Sequence, residues 1–234
     1  MINKLTRFFN YVIKTKIFPD NWKSAIIFPL KKSGCNGSEL DHFRPIAILP
    51  IITKIFKKTF FILNNPPISN RIPSNQYGFT EGKSTINALH LVSDFIKEGI
   101  NNKELVIGVT LDVKKAFDNL DRLILINDLA TDNNINNNFA ELFANYLSRR
   151  STCTKINNFL SDKIITTKGI PQGSVISPLL FNYYLKDIPL PNTNNLILML
   201  QVQYADDFIL LTRSSDLTLI ENSITTHVTS HQIS

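Results

Sequence analysis

A mixed α+β fold around a small antiparallel sheet is what the sequence predicts. Three observations carry it: apolar residues at helical period in several segments, one isolated apolar run at residues 105–113, and two pairs of β-like runs, at 152–167 and 196–211, that read as hairpins. With 234 residues, 43% of them hydrophobic and 19% charged, the chain can bury one substantial core or two small ones, which excludes a disordered class. Its 25 Lys and Arg against 19 Asp and Glu leave a formal charge of +6, a mild lean toward polyanionic partners.

Taken in order, residues 5–17 set Leu5, Phe8, Phe9, Val12, Ile13 and Ile17 near helical spacing before Pro19. Lys14 and Lys16 interrupt any signal-like apolar core, so an amphipathic helix is expected there and not a leader. Residues 25–28 form a strand candidate that runs into a polar loop. Residues 52–63 read as a helix with a basic face, and 64–73, carrying Pro66 and Pro67, as a linker. Ser84 can cap a helix reaching about Ile96, with Ile86, Leu89, His90 and Phe95 as its buried side. The run 105–113 suggests a buried strand. Residues 120–129 and 139–147 look helical around an Asn-rich loop, the second through Phe139, Leu142, Phe143, Tyr146 and Leu147. A hairpin from 152–156 and 164–167 precedes a helix at 175–185.

The apolar runs 196–204 and 208–211 bracket Ala205, Asp206 and Asp207, giving a hairpin with an acidic tip. Two adjacent carboxylates inside this most apolar stretch leave it short of the ~20 residues a membrane span needs, so no membrane partner is expected. Cys35 and Cys153 are too few for a disulfide framework and lack zinc-ligand spacing, which fits a reducing, intracellular setting, nucleus or cytoplasm.

Phosphoryl transfer to a hydroxyl is commonly assisted by two divalent cations about 3.5–4 Å apart, held by hard carboxylate oxygens. Asp112 closes the strand ELVIGVTLD at 104–112, and Asp206 and Asp207 stand at the hairpin tip. If those strands are neighbours, three carboxylates converge at one edge of the sheet, where they repel one another unless a cation binds. Singly, an Asp after a strand is usually a turn residue and an Asp-Asp pair a solvated loop. Flanking apolar strands and the complete tetrapeptide Tyr204-Ala205-Asp206-Asp207 set this pair apart.

That tetrapeptide resembles the catalytic hairpin of reverse transcriptases, and other segments fall in the family's order. VTLDVKKAFDNLD at 109–121 resembles the first palm motif, and GIPQGSVISPLLFNYYLKDI at 169–188 the motif between the two aspartate sites. Upstream, FPLKKSG, HFRPIAILP and QYGFTEGKSTINAL resemble the fingers and the approach to the palm. The wording around these motifs looks most like non-LTR, LINE-like elements of the jockey kind. Group II intron enzymes are the runner-up and retroviral enzymes fit less well.

The resemblance implies a right-hand polymerase palm with partial fingers, and RNA-directed DNA synthesis from a primer 3′-hydroxyl on an RNA template with dNTPs. Asp112, Asp206 and Asp207 would hold two Mg²⁺ ions, or Mn²⁺, with the Val113 carbonyl a further ligand. Arg44 would clamp triphosphate oxygens, with Lys31 or Lys32 as a nearby point charge. Phe117, five residues after Asp112, would exclude a ribose 2′-hydroxyl. Gln172 and Gly173 would lie against the nascent base pair, and Lys83, Arg149 and Arg150 would meet template or primer phosphates. Thr80 stands where the family commonly has arginine. The implied division is an N-terminal helix at 1–17, fingers at 18–103 and palm at 104–234, with thumb and endonuclease segments expected to be absent from this stretch of a longer polyprotein. An RNA-dependent RNA polymerase and an inert nucleic-acid-binding remnant are the competing readings.

Overall fold

From the N-terminus run α1 (Ile2–Thr15), the short α2 (Asp20–Lys23), β1 (Ser24–Lys31), a 3-10 turn at Leu40–His42, β2 (Phe43–Ile48) and α3 (Ile51–Ser69). Next come α4 (Thr85–Asn101), β3 (Leu105–Asp112), the one-turn α5 (Ala116–Asn119), α6 (Arg122–Thr131) and α7 (Asn137–Leu147). Then follow β4 (Arg150–Ile156), β5 (Phe159–Leu160), β6 (Ile164–Thr166), α8 (Ser177–Tyr184), β7 (Leu198–Tyr204), β8 (Asp207–Ser214) and α9 (Leu217–Ser230). This computed structural model describes residues 2–37 and 39–230, with residues 61–66 and 230 described through their backbone alone. The elements sort into two compact units, each built from two stretches of chain: Met1–Asn70 with Lys115–Leu180, and Arg71–Lys114 with Phe181–Ser234.

The first unit holds a sheet of order β2-β1-β4-β5, with β6 also on β4. The β4–β6 hairpin is the expected one. The parallel β1–β4 pair, Ser24 opposite Ser151, was not anticipated: its strands lie far apart in sequence, and hairpin patterning reports only local pairs. Beside the sheet, Phe18, Trp22, Phe56 and Tyr146 form an edge-on and tilted cluster with ring centroids 4.7–5.6 Å apart. The apolar stripe of α7 is buried as its spacing requires. The expected linker at 64–73 is corrected, because α3 runs on through Pro66 and Pro67 to Ser69. Both prolines fall in its last turn, next to the buried Ile68.

The second unit is the antiparallel sheet β3-β8-β7. Buried Ile220 and partly buried Ile224 and Val228 lay α9 over Ile197, Met199 and Leu210, while α4 packs against all three strands. Two expectations are corrected here. Ser84 does cap α4, in a reciprocal box with Asn87, but Ile86 and Leu89 are 63% and 64% exposed and His90 is exposed too; the buried positions are Ala88 and Gly99. Of the expected side only Phe95 is half-buried, with the Arg213 guanidinium 4.7 Å from its ring centre. Likewise β3 is an edge strand with alternating half-buried residues, not a buried one, and β8 takes the central place.

Candidate active site

Antiparallel register sets Asp112 of β3 opposite Asp207 of β8, and a two-residue turn, Ala205-Asp206, joins β7 to β8 with Tyr204 opposite Asp207. Directly opposed residues project from the same face with Cβ atoms about 4.5–5.5 Å apart. Asp112 and Asp207 therefore stand side by side at one end of the sheet, with Asp206 at the turn and Val113 next along the chain. Burial, then the charges of Asp206 and Asp112, hold the Asp207 carboxyl above the ordinary range. Among the described residues, no three His, Cys, Asp or Glu side chains are gathered tightly enough to make a ready-formed metal site. The donor set nonetheless suits a hard divalent cation, and the repulsion felt by Asp207 has the sign a cation relieves.

The turn is gripped by a residue to which the sequence reading assigned no role. Gln76, fully buried, accepts at Oε1 from the backbone N–H of Ala205 (2.9 Å) and of Gly78 (2.8 Å), and its Nε2 donates to the Ala205 carbonyl (3.2 Å). A Cβ on Gly78 would fall 2.1 Å from the Ala205 nitrogen, so only glycine lets the two backbones meet this closely. Buried Asn182 donates to the Gly78 carbonyl at 2.8 Å, and the Thr80 hydroxyl does so at 3.2 Å. Lys83 is turned inward: its ammonium donates to the carbonyls of Ser74 and Gln76 and lies 4.9 Å from the Tyr77 ring centre. The phosphate contact expected of Lys83 is corrected to a brace under residues 74–76.

In the first unit, the PQG turn docks on two elements. The Ala47 N–H donates to the Gln172 carbonyl (3.1 Å), and Gln172 Nε2 donates to Asp118 Oδ2 (3.2 Å). Gly169, at φ +73°, is held by Leu120, and a Cβ there would fall 2.6 Å from the Asp118 carbonyl oxygen. Half-buried Phe117 accepts from the Ile170 N–H through its carbonyl, and Gly173 sits at φ +91° beside Ala47. Arg44, exposed, is on β2, the strand to which this turn is bonded through Ala47. Its register partner is Leu30, so Lys31 projects from the opposite face while Lys32, whose N–H bonds the His42 carbonyl, shares the face of Arg44.

Arg149 is exposed, but Arg150 is only 2% exposed, its guanidinium 4.5 Å from the Tyr146 ring centre. The expected phosphate contact of Arg150 is therefore corrected to a buried cation–π role. Arg122 was also missed: its guanidinium donates to the carbonyls of Gly169, Leu147, Thr166 and Lys168 and to the Thr166 hydroxyl. Burial, with Arg150 nearby, pulls its pKa down to about 10. Partners that are mostly backbone carbonyls leave no signature in sequence.

A three-stranded antiparallel sheet with paired carboxylates at a hairpin turn is the arrangement that the resemblance to a polymerase palm implies. Residues 30–232 match the family model of reverse transcriptase (RNA-dependent DNA polymerase), and the chain belongs to that family. It is 30% identical over 212 residues to a probable RNA-directed DNA polymerase from transposon X-element of Drosophila melanogaster, covering 90% of this chain and 23% of that protein. It is 29% identical over 218 residues to the RNA-directed DNA polymerase from mobile element jockey of the same organism, covering 91% and 24%. The chain thus spans about a quarter of these curated relatives. In fold it is similar to the apo telomerase of Candida Tropicalis truncated from its C-terminal domain, with a TM-score of 0.59 at 14% identity over 96% of this chain and 51% of that one.

Proposed function

We propose that the chain carries the polymerase site of a jockey-type non-LTR retrotransposon enzyme, which extends a DNA primer 3′-hydroxyl with dNTPs on an RNA template. The observation that carries this reading is the register pairing of Asp112 with Asp207 beside the Asp206 turn. Asp112, Asp206 and Asp207, with the Val113 carbonyl, would hold Mg²⁺ or Mn²⁺. When bound, the cations would activate the primer hydroxyl and neutralise the pyrophosphate. Arg44 with Lys32, which shares its face of the sheet where the expected Lys31 does not, would meet the triphosphate, Phe117 the sugar, and Gln172 and Gly173 the base pair. Arg149 would remain for template or primer phosphates. In this reading residues 18–103 serve as fingers and 104–234 as palm, and the work is done inside the cell. Single-turnover primer extension on an RNA template at low salt tests it: Asp112→Asn and Asp206→Asn should each slow extension by at least about 100-fold. Extension by the wild type that either change leaves untouched would overturn the assignment.

A second reading, an inert nucleic-acid-binding remnant, draws on the lack of a ready-formed three-ligand cluster among the described residues. It requires that the wild type bind a primer–template duplex and extend it no faster than Asp206→Asn does.

A further inference from the structure

We propose that Gln76 is a positioning residue for the carboxylate hairpin, its side-chain amide fixing the backbone of Ala205 and through it the stance of Asp206 and Asp207. This rests on the polymerase reading for its consequence but not for its geometry.

Ala205 is the first residue of the Ala205-Asp206 turn and lies at φ +57°, whereas Asp206 is not at positive φ. Tight hairpins of this kind favour glycine at that first position, because a Cβ in the left-handed region meets the backbone. An alanine held there needs support from outside the turn. Gln76 supplies it from both sides of one residue, by accepting from the Ala205 N–H and donating to the Ala205 carbonyl. Such a contact does more than pack, since the two bonds together set the orientation of the peptide groups that flank Ala205. One of those peptides is the bond to Asp206.

Gln76 is itself fixed. Its side chain is wholly buried and its Oε1 also accepts from Gly78, while its N–H donates to the Pro73 carbonyl and its own carbonyl accepts from Lys83. Segment 75–77 is tied to β7 through Tyr77 N–H to the Gln203 carbonyl (2.8 Å) and Gln203 N–H to the Asn75 carbonyl (2.9 Å). The amide therefore reaches the turn from a braced support, and it supplies both the acceptor and the donor used here. A carboxylate at position 76 could accept but not donate, and an alanine could do neither.

Two measurements on the 234-residue chain test this. The first is amide hydrogen exchange by NMR: the Ala205 N–H should be protected in the wild type, remain protected in Gln76→Glu, and exchange freely in Gln76→Ala while β7 and β8 keep their protection. The second is Mn²⁺ affinity by calorimetry, which should fall about 10-fold in Gln76→Ala, as expected when support behind a ligand is removed. An unprotected Ala205 N–H in the wild type overturns the proposal, and this measurement stands even where a variant fails to fold. Unchanged Mn²⁺ affinity in a folded Gln76→Ala also overturns it. Asp206→Asn is titrated alongside: if it binds Mn²⁺ as the wild type does, the metal site fails, while Ala205 exchange still decides the role of Gln76.

Discussion

Asp207 is held above the ordinary carboxylate range by burial and by Asp206 and Asp112, so its ionised form is worse tolerated in the folded chain than in the unfolded one. The folded state keeps a proton that the unfolded state has released, over the window between the ordinary carboxylate value and the raised one. That contribution is full below the ordinary value and lost as pH rises through the raised value. Asp207→Asn should therefore melt above the wild type at pH 7 and level with it near pH 3. The side chain is exposed, so the gain is small, on the order of 1 °C by thermal melts. An equal or lower melting temperature at pH 7 would contradict it. At Phe117, valine should raise ribonucleotide incorporation relative to deoxynucleotides about 10-fold in a competition extension assay, and an unchanged ratio would return Phe117 to a packing role. The acidic residues were legible because a cluster of like charges between apolar strands has few uses. Lys83 and Arg150 were misread because a cation turned onto carbonyls or a ring has the same sequence as one in solvent. Gln76 lay inside a quoted motif and went unassigned, since its partner is the backbone of a residue 129 positions away.

Among the elements, turns pressed against other backbone carry the sharpest demands. Gly169 combines φ +73° with backbone atoms of Asp118 and Phe117 within 2.7 Å of where a Cβ would sit. Gly169→Ala should cost at least about 2 kcal/mol in denaturant unfolding and loosen the PQG turn that follows; a loss below about 0.5 kcal/mol would show that the turn can shift aside. Ser84→Ala should cost about 1 kcal/mol by removing the capping box of α4. Elements with local signals were legible: the acidic hairpin, the β4–β6 hairpin, the stripe of α7 and the Ser84 cap. Those set by distant partners were not. The parallel pairing of β4 on β1, the edge position of β3 and the small-residue face of α4 all depend on what packs alongside, and an apolar run alone cannot report that.

For the whole molecule, two units assembled from interleaved stretches of chain hold different parts of the proposed chemistry. The carboxylates and Gln76 belong to one; Arg44, Phe117, Gln172 and Gly173 belong to the other. With Lys83 and Arg150 turned inward, few of the expected cations remain for template and primer. Extension by these 234 residues should accordingly be weak at physiological salt and strengthen as salt is lowered, because phosphate contacts weaken with counterion concentration. Processive synthesis at physiological salt would contradict this. The central claim is that the end of the three-stranded sheet is a divalent-cation site, and calorimetric titration of Mn²⁺ into the folded chain tests it most directly. Wild type should bind, and Asp206→Asn and Asp112→Asn should each weaken binding by at least about 10-fold; equal binding by all three chains would contradict the account.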